Sequence, residues 1–199
     1  YSTAMGLLMA YEESGRQQDL MSGMELLRKA IGLLAPGDPT RGLLWANYAV
    51  ALQMLYEETG DVRDLEQAVS AAGTATAEVP RDHPARIAFV GDHVNVLRKL
   101  YERTGRAAHL EKAVEIGERA ARQLPEHPGP AHGGFLNNLA SALQCESART
   151  GDPDALRRSA HYARVAVAAA PPEAPQRTAA LLSLGVALQE LGKRTGDDS

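Results

Sequence analysis

Cysteine is nearly missing from this 199-residue sequence, in which Cys145 is the single one. One thiol forms no intrachain disulfide and builds no cysteine-based zinc site within a chain, so the usage fits a reducing compartment, and the expected location is the cytoplasm. Long apolar runs are missing as well. No stretch approaches the roughly 18 to 20 apolar residues that span a bilayer, and Tyr1 to Ala10 lacks the basic start of a secretion signal, so no membrane partner is expected. Neither sign of charge dominates: the formal net charge is −4, and both signs occur in similar numbers in each quarter of the chain. That argues against a dedicated nucleic-acid surface, which gathers Lys and Arg on one face. Only a local stripe of Arg86, Arg98, Lys99, Arg103 and Arg106 could serve such a role.

Constellations that carry catalysis are lacking too. A thiolate nucleophile needs a positioned base, and no His lies within a helical turn of Cys145, so it reads as a small packing residue. The six histidines, His83, His93, His109, His127, His132 and His161, include no i, i+4 pair on one helix, the spacing that makes a metal site convincing. His93 takes a normally apolar place and reads as a packing residue with a hydrogen-bonded nitrogen. No Gly-rich loop followed by Lys-Ser/Thr exists to cradle phosphates. The expectation is a protein with no catalysis of its own, no metal and no cofactor.

Repetition is abundant. A Gly preceded by Ser or Thr returns at Gly15, Gly60, Gly105, Gly151 and Gly196, at intervals of 45, 45, 46 and 45 residues. A separate proline series, Pro39, Pro84, Pro130 and Pro175, keeps intervals of 45, 46 and 45. Self-similarity at this period marks a stack of supersecondary units, each burying its apolar face against a neighbour. Hydrophobic residues at 44% and charged residues at 23% fit a folded chain. Arg outnumbers Lys 17 to 4 and alanine is abundant, a bias that matches the codon usage of a GC-rich bacterial gene.

Each unit reads as two helices. Leu65, Ala68, Val69, Ala72 and Ala75 recur at three- and four-residue steps, as do Ile87, Val90, Val94, Leu97 and Leu100 after Pro84. Glycines of the series stop helices, because Gly enters the left-handed cap conformation without a side-chain penalty. Prolines of the series suit a first helical turn, where their missing N–H has no intrahelical partner, and Asp38 and Asp152 read as N-caps. The spacing predicts nine helices, at 2–14, 17–35, 39–59, 62–79, 84–104, 107–124, 130–150, 153–170 and 174–195, and no sheet. Gly91, Gly117 and Gly134 each cost a helix about 1 kcal/mol against Ala and are expected where helices approach closely. Asn47, Asp92, Asn138 and Ser183 recur at one position and read as a polar ladder between stacked helices.

These residues resemble a tetratricopeptide repeat array. Trp45, Tyr48, Ala49 and Leu52 echo that motif's Trp, Leu-Gly and aromatic-or-Leu spacing, as do Leu136, Leu139-Ala140 and Leu143, and then Leu181, Leu184-Gly185 and Leu188. Ala68 to Pro80, Ala113 to Pro125 and Ser159 to Pro171 keep the motif's twelve-residue interval from small residue to closing proline. Departures are the period of about 45 in place of 34, His93-Val94 in place of Leu-Gly, and thirteen residues from Gly23 to Pro36. Period alone would suit HEAT or armadillo repeats equally, and the small-residue-to-proline spacing decides between them. The long variety resembles arrays in bacterial signalling proteins that carry caspase-like CHAT protease domains or NTPase-type transcription regulators.

The resemblance implies an all-α, right-handed superhelical solenoid of antiparallel helix pairs, taken here as one domain over 1–199 with units 1–38, 39–83, 84–129 and 130–174 and a final helix 175–195. Tyr1 within a helix and Ser199 just past a cap make the chain look like an excerpt of a longer array. In such arrays the first helix of each pair lines a concave groove that receives a peptide or protein. That implies a groove of Ala46, Val50, Gln53 and Met54, then Gly91, Asn95, Arg98 and Lys99, then Asn137, Ser141, Gln144 and Cys145, then Leu182, Val186, Gln189 and Glu190. Its carboxamides can satisfy a peptide backbone, and Arg98 a carboxylate. A self-associating scaffold using Met5, Met9, Met21 and Met24 is the alternative.

Overall fold

A computed structural model describes residues 2–195. Gly196, the fifth glycine of the series, and the expected cut ends at Tyr1 and Ser199 lie outside the described residues. Among these there are nine α-helices, one short 3-10 turn and no strand: α1 Ser2–Ser14, α2 Gln17–Leu33, α3 Pro39–Thr59, α4 Val62–Glu78, α5 Arg86–Thr104, α6 Ala107–Ala121, α7 Gly133–Thr150, α8 Pro153–Ala169 and α9 Pro175–Thr195.

The helix stops follow from the glycine series. Gly15, Gly60, Gly105 and Gly151 all have φ between 66° and 79°, the left-handed region that a side chain disfavours. From there each donates its N–H to the carbonyl four residues back, at Tyr11, Tyr56, Tyr101 and Ser147, over 2.7 to 2.8 Å. The Ser or Thr ahead of each glycine also has a task. Its hydroxyl accepts the N–H two residues on, at Arg16, Asp61, Arg106 and Asp152, and so ties one helix end to the next helix start. Asp38, Asp61 and Asp152 then cap α3, α4 and α8 through their carboxylates.

The proline series is less uniform than expected. Pro39 and Pro175 open their helices, as does Pro153 outside the series, whereas Pro84 lies in a turn before α5 and Pro130 in the 3-10 turn 130–132. At Pro84 the Nδ1 of His83 accepts the Ala85 N–H, and the α-helical ladder begins only at Arg86. Helices α2, α4 and α6 also stop short of the predicted ends. Val79, like Ala170 after α8, is extended because the proline that follows disfavours the helical conformation.

The chain forms two compact units, residues 1–89 and 90–199, with the boundary inside α5. In the first, α1 packs on α2, α2 on α3 and α3 on α4. Its core includes Ala46, Ala75, Val79 and Phe89, with Trp45 and Ala85 against them. A Cβ on Gly42 would fall 2.4 Å from Val79, so glycine is what lets α3 and α4 close up there. In the second unit α6 packs on α7, α7 on α8, and α9 on both α7 and α8. Phe135, Leu136, Leu139, Leu143 and Leu156 are buried there. A Cβ on Gly91 would lie 3.0 Å from the Phe135 Cα, and one on Gly117 2.7 Å from Leu139, as close approach requires. Gly134 has nothing within 4 Å of its would-be Cβ, so the expected close approach does not occur at that position.

Candidate functional site

The polar positions singled out on α5, α7 and α9 arise from helical phase. Leu136, Leu139 and Leu143 turn inward on α7, which leaves Asn137, Ser141 and Gln144 on a neighbouring stripe at steps of four and three. Asn95, Arg98 and Lys99 hold the corresponding stripe of α5, where Val94 and Leu97 are buried.

Within the second unit these stripes are linked by side-chain bonds. Arg98 donates from one guanidinium nitrogen to the Asn95 Oδ1 at 3.0 Å and from the other to the Glu102 carboxylate. Glu102 in turn accepts from the Cys145 thiol of α7 at 3.5 Å. Toward α9, the Ser183 hydroxyl donates to the Asn137 Oδ1 at 2.8 Å, and Gln144 donates its Nε2 to the Ser183 carbonyl at 2.8 Å. Ser141 bonds its hydroxyl to the Asn137 carbonyl, and Asn138 reaches the Gly91 carbonyl of α5 at 3.0 Å. The expected ladder is therefore present at Asn138 and Ser183. The Arg98 Nε is buried without a hydrogen-bond partner, which leaves one donor of its fork unused.

Electrostatics here follow burial. Burial pushes the Cys145 thiol up, and the Glu102 carboxylate adds to that, so the sulfur is held protonated and is a poor nucleophile. Burial likewise raises the Asp92 carboxyl. His93 is pushed down to about 4, first by burial and then by the Lys112 ammonium.

Other expected positions are placed differently. Gln53 is 9% exposed and turns its amide back to the Ala49 carbonyl at 3.4 Å, while Val50 and Met54 beside it are half-buried. Ala46 is core in the first unit and Gly91 is covered by α7, because each lies on the packed side of its helix. On α9, Leu182, Val186 and Gln189 are exposed and Glu190 pairs with Lys193. Lys99 is half-buried.

Two contributors escaped the sequence reading. Glu102 bridges Arg98 to Cys145, and its i, i+4 spacing from Arg98 was the available signal. The second is an arginine two residues after the series proline. Arg41 donates to the carbonyls of Ile31 and Leu34, Arg86 to those of Thr76 and Val79, and Arg177 to those of Val167 and Ala170, over 2.6 to 3.2 Å. Each clamps the C-terminal end of the preceding helix, where unpaired carbonyls and the helix dipole favour a cation. His132 occupies the fourth such place and bonds within its own turn to Gly129. Among the described residues no group of three or more His, Cys, Asp or Glu is placed to hold a metal ion, and no helix is long and apolar enough to cross a membrane.

No protein-family model matches the chain, and no curated protein matches it. Solved structures do resemble it. A Podospora anserina kinesin-light-chain candidate with nearly identical TPR-like repeats is 22% identical over 98% of this chain and 88% of its own, with a TM-score of 0.59. Its Q17M variant gives 21% identity, 98% and 87% coverage and a TM-score of 0.64. The fold is thus a TPR-like, all-helical repeat.

Proposed function

We propose that the chain is a protein-interaction or sensor module that binds a peptide or protein partner and performs no catalysis. The observation that carries this reading is the bonded row Asn95, Arg98, Glu102, Cys145, Gln144, Ser183 and Asn137 on α5, α7 and α9. Such a row offers donors and acceptors already fixed by neighbours, which lowers the ordering cost of taking up an extended backbone. Arg98, held by Asn95 and Glu102, keeps the α5 end of the row in place. Lys99, Ser141 and Gln189 extend the row. On this reading the module works in the cytoplasm as the recognition segment of a bacterial signalling or defence assembly, as the resemblance to long tetratricopeptide arrays suggests.

A test begins with a random peptide phage library panned against the chain. Enriched peptides should lose at least tenfold in affinity toward the triple variant Asn95→Ala, Arg98→Ala, Asn137→Ala. Undiminished binding by that variant, with its helical spectrum intact, removes the row from the binding surface.

A further inference from the structure

Four junctions lead from one helix pair to the next, and an arginine closes three of them. At α2–α3, α4–α5 and α8–α9 the guanidinium of Arg41, Arg86 or Arg177 donates to two carbonyls three residues apart at the end of the earlier helix. By the period of the repeat, the equivalent carbonyls at the α6–α7 junction are those of Ala121 and Leu124. Leu124 stands directly before Pro125, as Val79 does before Pro80 and Ala170 before Pro171. In the place of the arginine is His132, which is shorter and accepts the Gly129 N–H on its Nδ1 at 3.1 Å. The step from Pro125 to Pro130 is also one residue longer than those from Pro80 to Pro84 and from Pro171 to Pro175. Among the described residues no cationic side chain bonds to the Ala121 or Leu124 carbonyl.

The end of α6 responds by tightening. The Leu124 N–H is donated to the Ala121 carbonyl at 3.1 Å and the Gln123 N–H to that of Ala120 at 2.9 Å, the three-residue bonding by which a helix end satisfies itself. One lone pair of the Ala121 carbonyl is still open, and the Leu124 carbonyl accepts no bond among the described residues. Both residues line a cleft of about 190 Å³, together with Glu126 in the loop, Leu136 on α7, and Tyr162 and Val165 on α8.

A guanidinium suits this combination. Unpaired carbonyls at a helix C-terminus carry partial negative charge and favour a cation, and the Glu126 carboxylate adds a full one. A planar, weakly hydrated fork serves two carbonyls at once, which a compact and strongly hydrated ammonium does less well. Leu136 and Val165 offer apolar surface to the methylenes of the stem. The junction is interior to the chain, with α5 and α6 before it and α7, α8 and α9 after it, so nothing in it depends on residues beyond either end.

We propose that the α6–α7 junction binds an arginine side chain of a partner protein, whose guanidinium donates to the Ala121 and Leu124 carbonyls and pairs with Glu126. The partner supplies at this junction what Arg41, Arg86 and Arg177 supply at the others. The site shares no residue with the polar row, so either can fail without the other.

The probe is arginine capped as its N-acetyl N-methylamide, titrated into the isotope-labelled 1–199 chain and followed by amide chemical shifts. Beside it run the capped citrulline, which keeps the shape and loses the charge, and the capped lysine. The arginine probe should shift the amides of 121–126 saturably, and more than those around Val79 and Ala170, whose carbonyls already hold an arginine. The citrulline and lysine probes should bind at least fivefold more weakly. His132→Arg supplies a guanidinium from within and Val165→Phe fills the cleft. Each should weaken the arginine probe tenfold or more with the helical spectrum retained, and Leu33→Gln in the first unit should leave it unchanged. The proposal is overturned by shifts that do not saturate, by citrulline binding as well as arginine, or by undiminished binding in either folded variant. A tenfold preference for free L-arginine over the capped residue would also overturn it, since the ligand would then be the amino acid. So would a mass that rises with concentration and falls back in His132→Arg, which would make a second copy the source. Because the probe needs no selected peptide, its result stands whatever the phage library yields.

Discussion

His93 shows how one residue can fit the fold and still set its acid limit. Its imidazole is held neutral down to about pH 4 by burial and by Lys112, whereas in the unfolded chain it takes up a proton near 6.5. Between those values the unfolded state binds more protons, so stability falls as pH drops from 6.5 toward 4 and the loss is complete below 4. Asp92 beside it works in the opposite direction, because a carboxyl raised by burial binds a proton in the folded state first and gains stability as pH falls toward its unfolded value. The expected outcome is that His93→Leu flattens the decline in melting temperature between pH 6.5 and 4, while Asp92→Asn steepens it. Thermal unfolding followed by circular dichroism across that range checks both signs, and an unchanged slope in His93→Leu would remove His93 as the source.

At the scale of the element, the arginine clamps separate what is legible in a sequence from what is not. Helix ends were readable because glycine and proline act through their own backbone, within a residue or two of where they stand, as at Gly60, Gly105 and Pro39. The Arg41, Arg86 and Arg177 clamps recur in the sequence as Pro-x-Arg, yet their targets lie seven and ten residues back across a turn, and nothing local identifies them. The polar row was readable only as a set of helical stripes. Which members pair depends on helices more than forty residues apart, as with Asn137 and Ser183, and Gln53 satisfied itself on its own helix instead. Replacing Arg86 or Arg177 with Met should cost about 1–3 kcal/mol by leaving two carbonyls without a cationic donor. Arg41→Met should cost more, since Arg41 also pairs with Glu78 in a largely covered setting. Urea unfolding of the three variants ranks them, and equal losses would mean that the Glu78 pair contributes nothing.

Over the whole molecule, the preference for Arg over Lys bears on what kind of macromolecule can bind. Guanidinium groups serve here mainly as internal forks, a use for which their planar geometry suits them better than an ammonium. Arg41, Arg86 and Arg177 hold helix ends, Arg158 bridges two glutamates, Arg149 meets Glu111, and Arg194 reaches Ser147 and the Gly151 carbonyl. Two members of the basic stripe are engaged in the same way, Arg86 on carbonyls and Arg98 on Glu102. The net charge of −4 also opposes approach to a phosphate backbone. Each phosphate neutralised adds about 0.9 to the slope of log K against log salt for duplex DNA, so two phosphate contacts correspond to a slope of about −2. Titration of a fluorescent random-sequence duplex between about 25 and about 200 mM salt should therefore give weak binding that changes little. A slope of about −4 or steeper would mean that four or more cations leave their internal partners to meet phosphate, and the protein-partner reading would then give way to a nucleic-acid one.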